Sequence, residues 1–505
     1  MELQYNIELL IFAIAGGLFL SLYIFGKYKH SYLKKFGIPG PEAYAIVGHL
    51  FPLAYKGMVK FDSEMKKKYG KVVGFYVGFQ PTILISDPDI IKQICVSEFS
   101  SFINRFNFLP PDEFSENFLN SLKDDRWKYV RSVLSPAFRS KRMKQMSFLI
   151  DNVVNHLDDN FASIAKSGKE SDMKTVFSWY TLDVILTTAF GVEVNSQKNP
   201  DHYLVKSFSE FFETNFQGTF ASILVLYRPY WKLLKTLRIP NNYGSTMKRI
   251  AAFTKLIVKE RRESNIRRED ILQSMLDAQA EEAKQDANDG KETHKTGLSD
   301  DVLIAQSVLF LLAGHETTAT TLAFLSYSLA LHPEIQDRLH QEIVSVLGED
   351  IPDYNNIQRL PFLDMCLDET LRMYPSAIRI QREVSKNVQV SGWTFPKDTD
   401  ISLSVYPLHH DPEYWPEPEK FIPERFSPEC KDKIHPYAYI PFGAGPRICL
   451  GMKLARLESK LAMARLVKKY EFIKSLKTDE HLNFVSHFFL AAKNGVWLKI
   501  NQRQS

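Results

Sequence analysis

The run Phe442-Gly443-Ala444-Gly445-Pro446-Arg447-Ile448-Cys449-Leu450-Gly451 constrains this chain more than any other stretch. Gly443 and Gly445 tolerate positive φ and close backbone approach, so the segment reads as a tight loop whose amide N–H groups can turn toward one side chain. That side chain is Cys449. From Leu450 the chain is helical in pattern (Met452, Leu454, Ala455, Leu457, Leu461, Ala462), which places Cys449 just before a helix N-terminus. The partial positive charge there favours a thiolate, the form of cysteine that ligates a metal. Phe442 can cover one side of a flat cofactor, and Arg447 can pair with an anionic edge. A lone cysteine in a glycine turn is usually inert; here the spaced phenylalanine, glycines and arginine around it argue for a ligand.

The remaining cysteines, Cys95, Cys366 and Cys430, are far apart and form no C-x-x-C pair. That excludes a disulfide scaffold or zinc site and fits a reducing compartment. There is no H-E-x-x-H, and His409-His410 reads as loop surface. A net charge of +4 on 505 residues does not call for nucleic acid. The length alone suggests about three domains, but no linker or repeat divides the chain. Residues 42–505 read as one domain with a large core, since 45% of the chain is apolar.

The N-terminus reads as a membrane anchor over residues 1–26. Leu9 to Gly26 carries no charge over 18 residues, and a helix of that length spans ~27 Å, the thickness of a thin reticulum bilayer. Glu2 and Glu8 precede the run, while Lys27, Lys29, Lys34 and Lys35 follow it. Positive residues stay cytoplasmic, so the expectation is a retained anchor with the rest of the chain in the cytosol, not a cleaved signal. Residues 27–41, ending in Pro39-Gly40-Pro41, read as a basic, proline-stiffened hinge.

Two β-rich runs between Val72 and Ser86 predict a hairpin around Gly78-Phe79. Helical periodicity then dominates, with strand-like runs near Val388–Phe395, Ile401–Tyr406 and Phe484–Ile500. The fold class is mainly α with small β-sheets (α+β). Gln279 to Leu298 reads as an exposed, mobile connection. Phe216 to Leu237 is apolar with interleaved Arg228, Lys232 and Lys235, which suits a segment lying at a membrane interface.

A long helix is predicted from Ser299, a suitable N-cap, to about Leu331. It carries Ala313-Gly314-His315-Glu316-Thr317-Thr318. Ala313 and Thr317 share a face, and Gly314 leaves room for a flat cofactor. Thr317 can hold water beside Glu316, or it can back-bond to its own helix. Glu369 and Arg372 lie at i,i+3 on a helix face; Trp127 and Arg131 lie four apart. Arg126 to Lys144 holds seven basic residues (Arg126, Lys128, Arg131, Arg139, Lys141, Arg142, Lys144) and no acidic one.

Taken together and in this order, these motifs resemble those of the cytochrome P450 haem-thiolate monooxygenases, nearest to family 3, subfamily A, over about Pro39 to Lys499. Lys-Lys-Tyr-Gly-Lys-Val within Lys66–Asp89, and Asp411-Pro412-Glu413-Tyr414-Trp415, carry the same likeness. The resemblance implies haem b with Cys449 as axial ligand to the iron. It implies that Trp127, Arg131, Arg447, Arg105 and Arg382 meet the propionates, with Arg379 the alternative to Arg382. Thr317 and Glu316 would relay protons to iron-bound dioxygen. Glu369, Arg372 and Arg425 (in Pro423-Glu424-Arg425-Phe426) would form a buried structural triad. The pocket would be lined by Phe102, Phe106, Phe108, Leu309, Leu312, Ala313, Ser376, Ala377 and Phe488. No dinucleotide or flavin motif is present, so NADPH would act only through an NADPH–cytochrome P450 reductase, with cytochrome b5 as a second partner at the basic surface that Lys453 extends. The substrates would be dioxygen and lipophilic small molecules such as steroids and xenobiotics, and the location the endoplasmic reticulum membrane. Two other readings remain open: a haem-thiolate isomerase similar to thromboxane synthase, and a non-catalytic haem- or steroid-binding protein.

Overall fold

The computed structural model describes residues 2–106, 112–216, 236, 242–264, 266–289, 298–486 and 489–504. Phe108, Phe488 and, Thr236 aside, the interfacial segment expected after Phe216 lie outside the described residues.

Helix α1 (Glu2–His30) is the predicted N-terminal span, long and apolar enough to cross a membrane. Its large side chains, including Leu10, Phe12, Leu18 and Phe19, are exposed. It runs past Gly26, and its end is docked on the next domain. Gly26 lies directly against the Ala45 carbonyl, Phe25 meets Phe79 edge-on at 5.4 Å, and His30 Nε2 sits 2.8 Å from the Gly78 carbonyl. Beyond it, Leu33 and Ile38 are buried over Gly74, whose N–H donates to the Pro39 carbonyl at 2.7 Å. The segment 27–41, expected as a hinge, is therefore helix end followed by a packed strap.

Helix α2 (Leu50–Tyr69), kinked at Gly57, packs Met58 and Phe61 toward a hairpin of β1 (Val72–Val77) and β2 (Gln80–Ile85). Gly78, at φ 60°, makes the two-residue turn that the predicted hairpin needs. Then come α3 (Pro88–Lys92), α4 (Asp124–Leu134), α5 (Ser140–Ser167), the short β3 (Ser171–Asp172), α6 (Met173–Phe190), α7 (Tyr203–Phe216) and α8 (Asn242–Glu263). Helix α9 (Ile271–Asp289) occupies half of the expected mobile connection. Its alanines, glutamates and glutamines are good helix formers, and it is tied down where Gln279 donates to the Leu298 carbonyl at 2.8 Å and Glu282 accepts the Leu298 N–H at 2.9 Å.

Helix α10 (Asp300–Leu331) is capped by Ser299, which accepts the Val302 N–H. It is apolar on all sides and almost wholly buried, as expected for a helix through the centre of a core. It crosses α6, and Gly314 permits the approach: a Cβ there would meet Ile185 Cδ1 at 3.0 Å. The chain continues with α11 (Pro333–Leu347), α12 (Pro361–Met373), β4 (Arg379–Glu383), the hairpin β5 (Val388–Val390) and β6 (Trp393–Phe395), β7 (Asp400–Ser404), α13 (Val405–His409) and α14 (Pro428–Lys431). It ends with α15 (Met452–Lys469), β8 (Tyr470–Lys474), β9 (Phe484–Ser486), β10 (Leu490–Ala492) and β11 (Trp497–Gln502).

The main sheet has the order β1-β2-β7-β4, with β7 parallel to β2 and antiparallel to β4. Among the described residues, β8 and β3 flank β11, and β9 pairs with β10. Strands β4 and β8 are additions to the sequence reading, and Val405–Tyr406 starts a helix where a strand was expected. One core lies among the helices and a second beneath the main sheet.

Candidate active site

The cysteine loop leaves the sheet-side core at Ile440 and ends at Gly451, the N-cap of α15. Gly443 and Gly445 adopt φ of 79° and 70°, a region that strains other residues. Gly445 also lies directly against the Cys95 carbonyl, where a side chain would collide. The loop is closed by Cys449 N–H donating to Phe442 O at 2.9 Å and Gly443 N–H donating to Ile440 O at 2.9 Å. The Gly443 amide, expected to face the sulfur, is thus engaged within the loop. The backbone N–H groups that reach the Cys449 thiol belong to Gly451 and Met452, at the start of α15. Burial pushes the thiol pKa up, and these donors, with Arg105 and Arg131, oppose that rise. Two arginines also pin the loop: Arg105 donates to the Arg447 carbonyl at 2.9 Å and Arg131 to the Ile448 carbonyl at 2.8 Å.

Cys449 opens onto an internal cavity of about 400 Å³, shared with Phe442, Trp127, Arg131, Ala313 and Thr317. Among the described residues no group of three metal-ligating side chains exists.

Arg105, Arg131, Arg382 and Arg447 converge beside the loop, and among the described residues no ion pair joins any of them to a carboxylate. Burial, then the charge of Arg382, lowers Arg105 to about 9. Burial, then Arg105, Arg382 and Arg131, lowers Arg447 to about 8. The Arg447 guanidinium donates to the carbonyls of Ile103, Leu119 and Leu122 and lies 3.9 Å over the Trp127 ring. The Nε atoms of Arg105 and Arg382 have no partner among the described residues. Buried, mutually repelling cations of this kind fit a dianion, so the residues present suit the two propionates of haem. Arg379 lines the cavity but is already engaged bidentately by the Asp62 carboxylate. Arg382 is fully buried, with Cys95 Sγ at 3.9 Å as a weak partner. Of the two, Arg382 is the arginine with uncommitted charge.

Glu369 and Arg372 are both fully buried and meet at 2.7 and 2.9 Å. Arg425 Nε reaches Glu369 at 3.3 Å, and the Ile422 N–H donates to Glu369 at 2.9 Å. The cluster is linked to the cysteine loop by His409, which is buried in α13 rather than on a loop surface. Its Nε2 accepts the Ile440 N–H at 3.0 Å, and its Nδ1 lies 3.2 Å from the Arg372 carbonyl. Sequence reasoning missed this link because it depends on the approach of three separated segments.

On α10, Ala313 and Thr317 face the cavity, and Thr317 Oγ1 donates to the Ala313 carbonyl at 2.8 Å. Gly314 lines the cavity too, but what its missing side chain makes room for is Ile185. Glu316 turns away from Thr317. It opens onto a second cavity and pairs with Lys174 of α6 at 2.8 Å, so the two residues expected to act side by side face different spaces.

Leu309, Leu312, Ala313, Ser376 and Ala377 line the main cavity as expected. The Ser376 hydroxyl is occupied by the Thr317 carbonyl at 3.1 Å. Phe102 does not line it: it is fully buried in the sheet-side core against Phe395. Phe106 is also not among the cavity residues. The aromatic wall comes instead from Phe118, Phe211, Phe212, Phe310 and Phe489.

The cytochrome P450 family model matches residues 38–498. Cytochrome P450 3A14 of Cavia porcellus is 38% identical over 486 residues, covering 95% of this chain and 94% of its own. Lithocholate 6-beta-hydroxylase of Mesocricetus auratus is 38% identical over 510 residues, covering 100% of this chain and 99% of its own. Cytochrome P450 3A7 of Homo sapiens is 37% identical over 510 residues, with coverage of 100% and 99%. The chain belongs to the cytochrome P450 family and is a haem-dependent monooxygenase that uses dioxygen and lipophilic substrates; its relatives place it with family 3, subfamily A.

Proposed function

We propose that this protein is a membrane-anchored, reductase-dependent monooxygenase in which Cys449 would bind the iron of haem b. The observation that carries the reading is the cavity onto which both the Cys449 thiol and the Ala313–Thr317 face of α10 open, beside a cluster of arginines without carboxylate partners among the described residues. When bound, haem supplies the activation of dioxygen and the transfer of one oxygen atom. The residues of the chain do the positioning. Gly451 and Met452 would hold the charge of the sulfur, Phe442 would pack against the bound cofactor, and Arg105, Arg131, Arg382 and Arg447 with Trp127 would bind its carboxylates. Thr317 presents Oγ1 to the cavity as an acceptor that can hold water, its own proton being bonded to the Ala313 carbonyl. Glu316, on another face of α10 and paired with Lys174, contributes from outside the cavity and has no direct side-chain contact with Thr317.

The hamster relative is named for hydroxylating lithocholate. With its aromatic wall, the cavity suits a rigid lipophilic molecule of the steroid class. Electrons from NADPH arrive through a reductase, and cytochrome b5 shares its surface. Arg139, Lys141 and Lys144 are exposed there, and Lys453 joins them, 3.4 Å from Ser140. Such a surface steers an acidic flavoprotein. Residues 1–26 cross the reticulum membrane once, with the following lysines and the catalytic domain in the cytosol.

The test is the spectrum of the reduced protein under carbon monoxide. Thiolate ligation moves the Soret band to unusually long wavelength, and Cys449→Ser is expected to abolish that shift. A shift that survives the substitution rejects the assignment.

A further inference from the structure

The second cavity, behind α10, has a volume of about 350 Å³, within the ~300–1,000 Å³ typical of small-molecule sites. Trp179, Val205, Phe212, Ala323, Phe324 and Ala492 give it an apolar side, while Asp172, Lys174, Lys206, Glu316 and Lys493 line the rest. Two of its polar atoms, His315 Nδ1 and Thr320 Oγ1, have no hydrogen-bond partner among the described residues. Both residues are buried, at 4% and 2% exposure. Burial, then the charge of Lys174, lowers the pKa of His315 to about 3 and keeps it neutral. With no partner among the described residues, Nδ1 of the neutral ring can serve as an acceptor. Glu316 Oε2, 4.0 Å from Nδ1, is a carboxylate committed to Lys174 and donates nothing.

An orphaned acceptor and an orphaned hydroxyl among aromatic rings are matched by one O–H group on an apolar body. A hydrocarbon substrate lacks that group, and oxygen insertion into its C–H bond creates it. Phe212 lines both cavities and stacks on His315 at 5.7 Å, so it forms part of the partition between them. We propose that the second cavity is a binding site for a neutral lipophilic alcohol, the chemical class the reaction produces, held by His315 Nδ1 and Thr320 Oγ1. The inference rests on the monooxygenase reading for the link to product, and on the cavity itself for the binding.

The experiment is equilibrium dialysis of full-length holoprotein against 1-adamantanol and against adamantane, which differ by one hydroxyl. Two molecules of the alcohol per chain are expected, against one of the hydrocarbon. His315→Phe, which keeps the stack on Phe212, and Thr320→Val, which keeps the shape, should each weaken the second site about tenfold, the worth of one hydrogen bond. Ala492→Phe should fill the cavity and remove the second site. Equal stoichiometry for the two probes, as for a cavity holding water alone, overturns the proposal; so does a second site indifferent to all three substitutions. Dialysis reads occupancy rather than turnover, so failure of the monooxygenase reading would show separately, in the carbon monoxide spectrum of the same sample.

Discussion

Replacing Arg372 tests how the cysteine loop is held. The guanidinium, fully buried, donates twice to Glu369, at 2.7 and 2.9 Å, and also to the carbonyls of His409 at 2.9 Å and Lys420 at 3.3 Å. Arg372→Leu leaves Glu369 with Arg425 at 3.3 Å and one backbone N–H. Stranding a buried carboxylate costs ~3–5 kcal/mol, and an orphaned buried carbonyl ~1–3 kcal/mol. These losses share one site and do not add fully, so a total of about 5 kcal/mol is expected. Set against a typical stability of ~5–15 kcal/mol, that is a third or more of the whole. Because His409 joins Arg372 to Ile440, the damage falls on the cysteine loop, and haem should be lost before helical content is.

The double variant Glu369→Leu/Arg372→Leu separates charge from packing. It removes the stranded anion, and Arg425 can turn toward solvent, since its NH2 already reaches the exposed Glu417 carbonyl. A buried pair exchanged for apolar residues is often nearly neutral, so the double should be more stable than Arg372→Leu. Urea midpoints and haem content after purification are the readouts. A single variant indistinguishable from the parent, or a double no better than the single, refutes the reasoning.

Three further outcomes are expected. Arg382→Met should lower haem retention about tenfold or more, the cost of one charge-assisted contact, while Arg379→Met should instead cost stability by stranding Asp62; haem titration and thermal unfolding separate the two, and reversed outcomes exchange the assignments. Glu458 of α15 is buried, and burial pushes its carboxyl up to about 8 although Thr318 hydrogen bonds to it. The folded state therefore holds a proton that the unfolded state releases, so stability is full below the ordinary carboxylate pKa and falls as pH rises toward 8, by up to ~1.4 kcal/mol per unit; Glu458→Gln should flatten that slope in denaturation curves across this window. For Thr317→Ala, retained haem with more reducing equivalents lost as peroxide is expected, and full coupling of electrons to product would remove Thr317 from the proton path.

What could be read from the chain alone was whatever short-range geometry dictates. The Glu369–Arg372 pair follows from i,i+3 spacing, and the glycine loop follows from backbone freedom. The separation of Glu316 from Thr317 was also legible: adjacent residues on a helix point ~100° apart, so a residue facing the cavity sends its neighbour elsewhere. Lys174, Asp62 and His409 were not legible, because each meets its partner only through tertiary approach. Phe102 was misplaced for a similar reason: an aromatic residue near the site in sequence packs on β6 across the sheet. Strand β4, Arg-Ile-Gln-Arg-Glu, is too polar and short to stand out, and its pairing with β7 defines it.

The four arginines sit at positions 105, 131, 382 and 447, on segments that share little else: the loop before α4, α4 itself, β4 and the cysteine loop. Each is held by carbonyl groups or nearly unheld, and Arg105 and Arg447 are destabilised by the neighbouring arginines. Burying like charges together is unfavourable unless an anion joins them. A dianionic cofactor seated there would cross-link four distant parts of the chain through charge alone. Binding to the folded form and not to the unfolded chain adds its free energy to folding. If the arginines hold a two-carboxylate porphyrin, the fold around Cys449 would depend on it, and substitutions at Arg372 and Arg382 are therefore expected to be read first in retained cofactor.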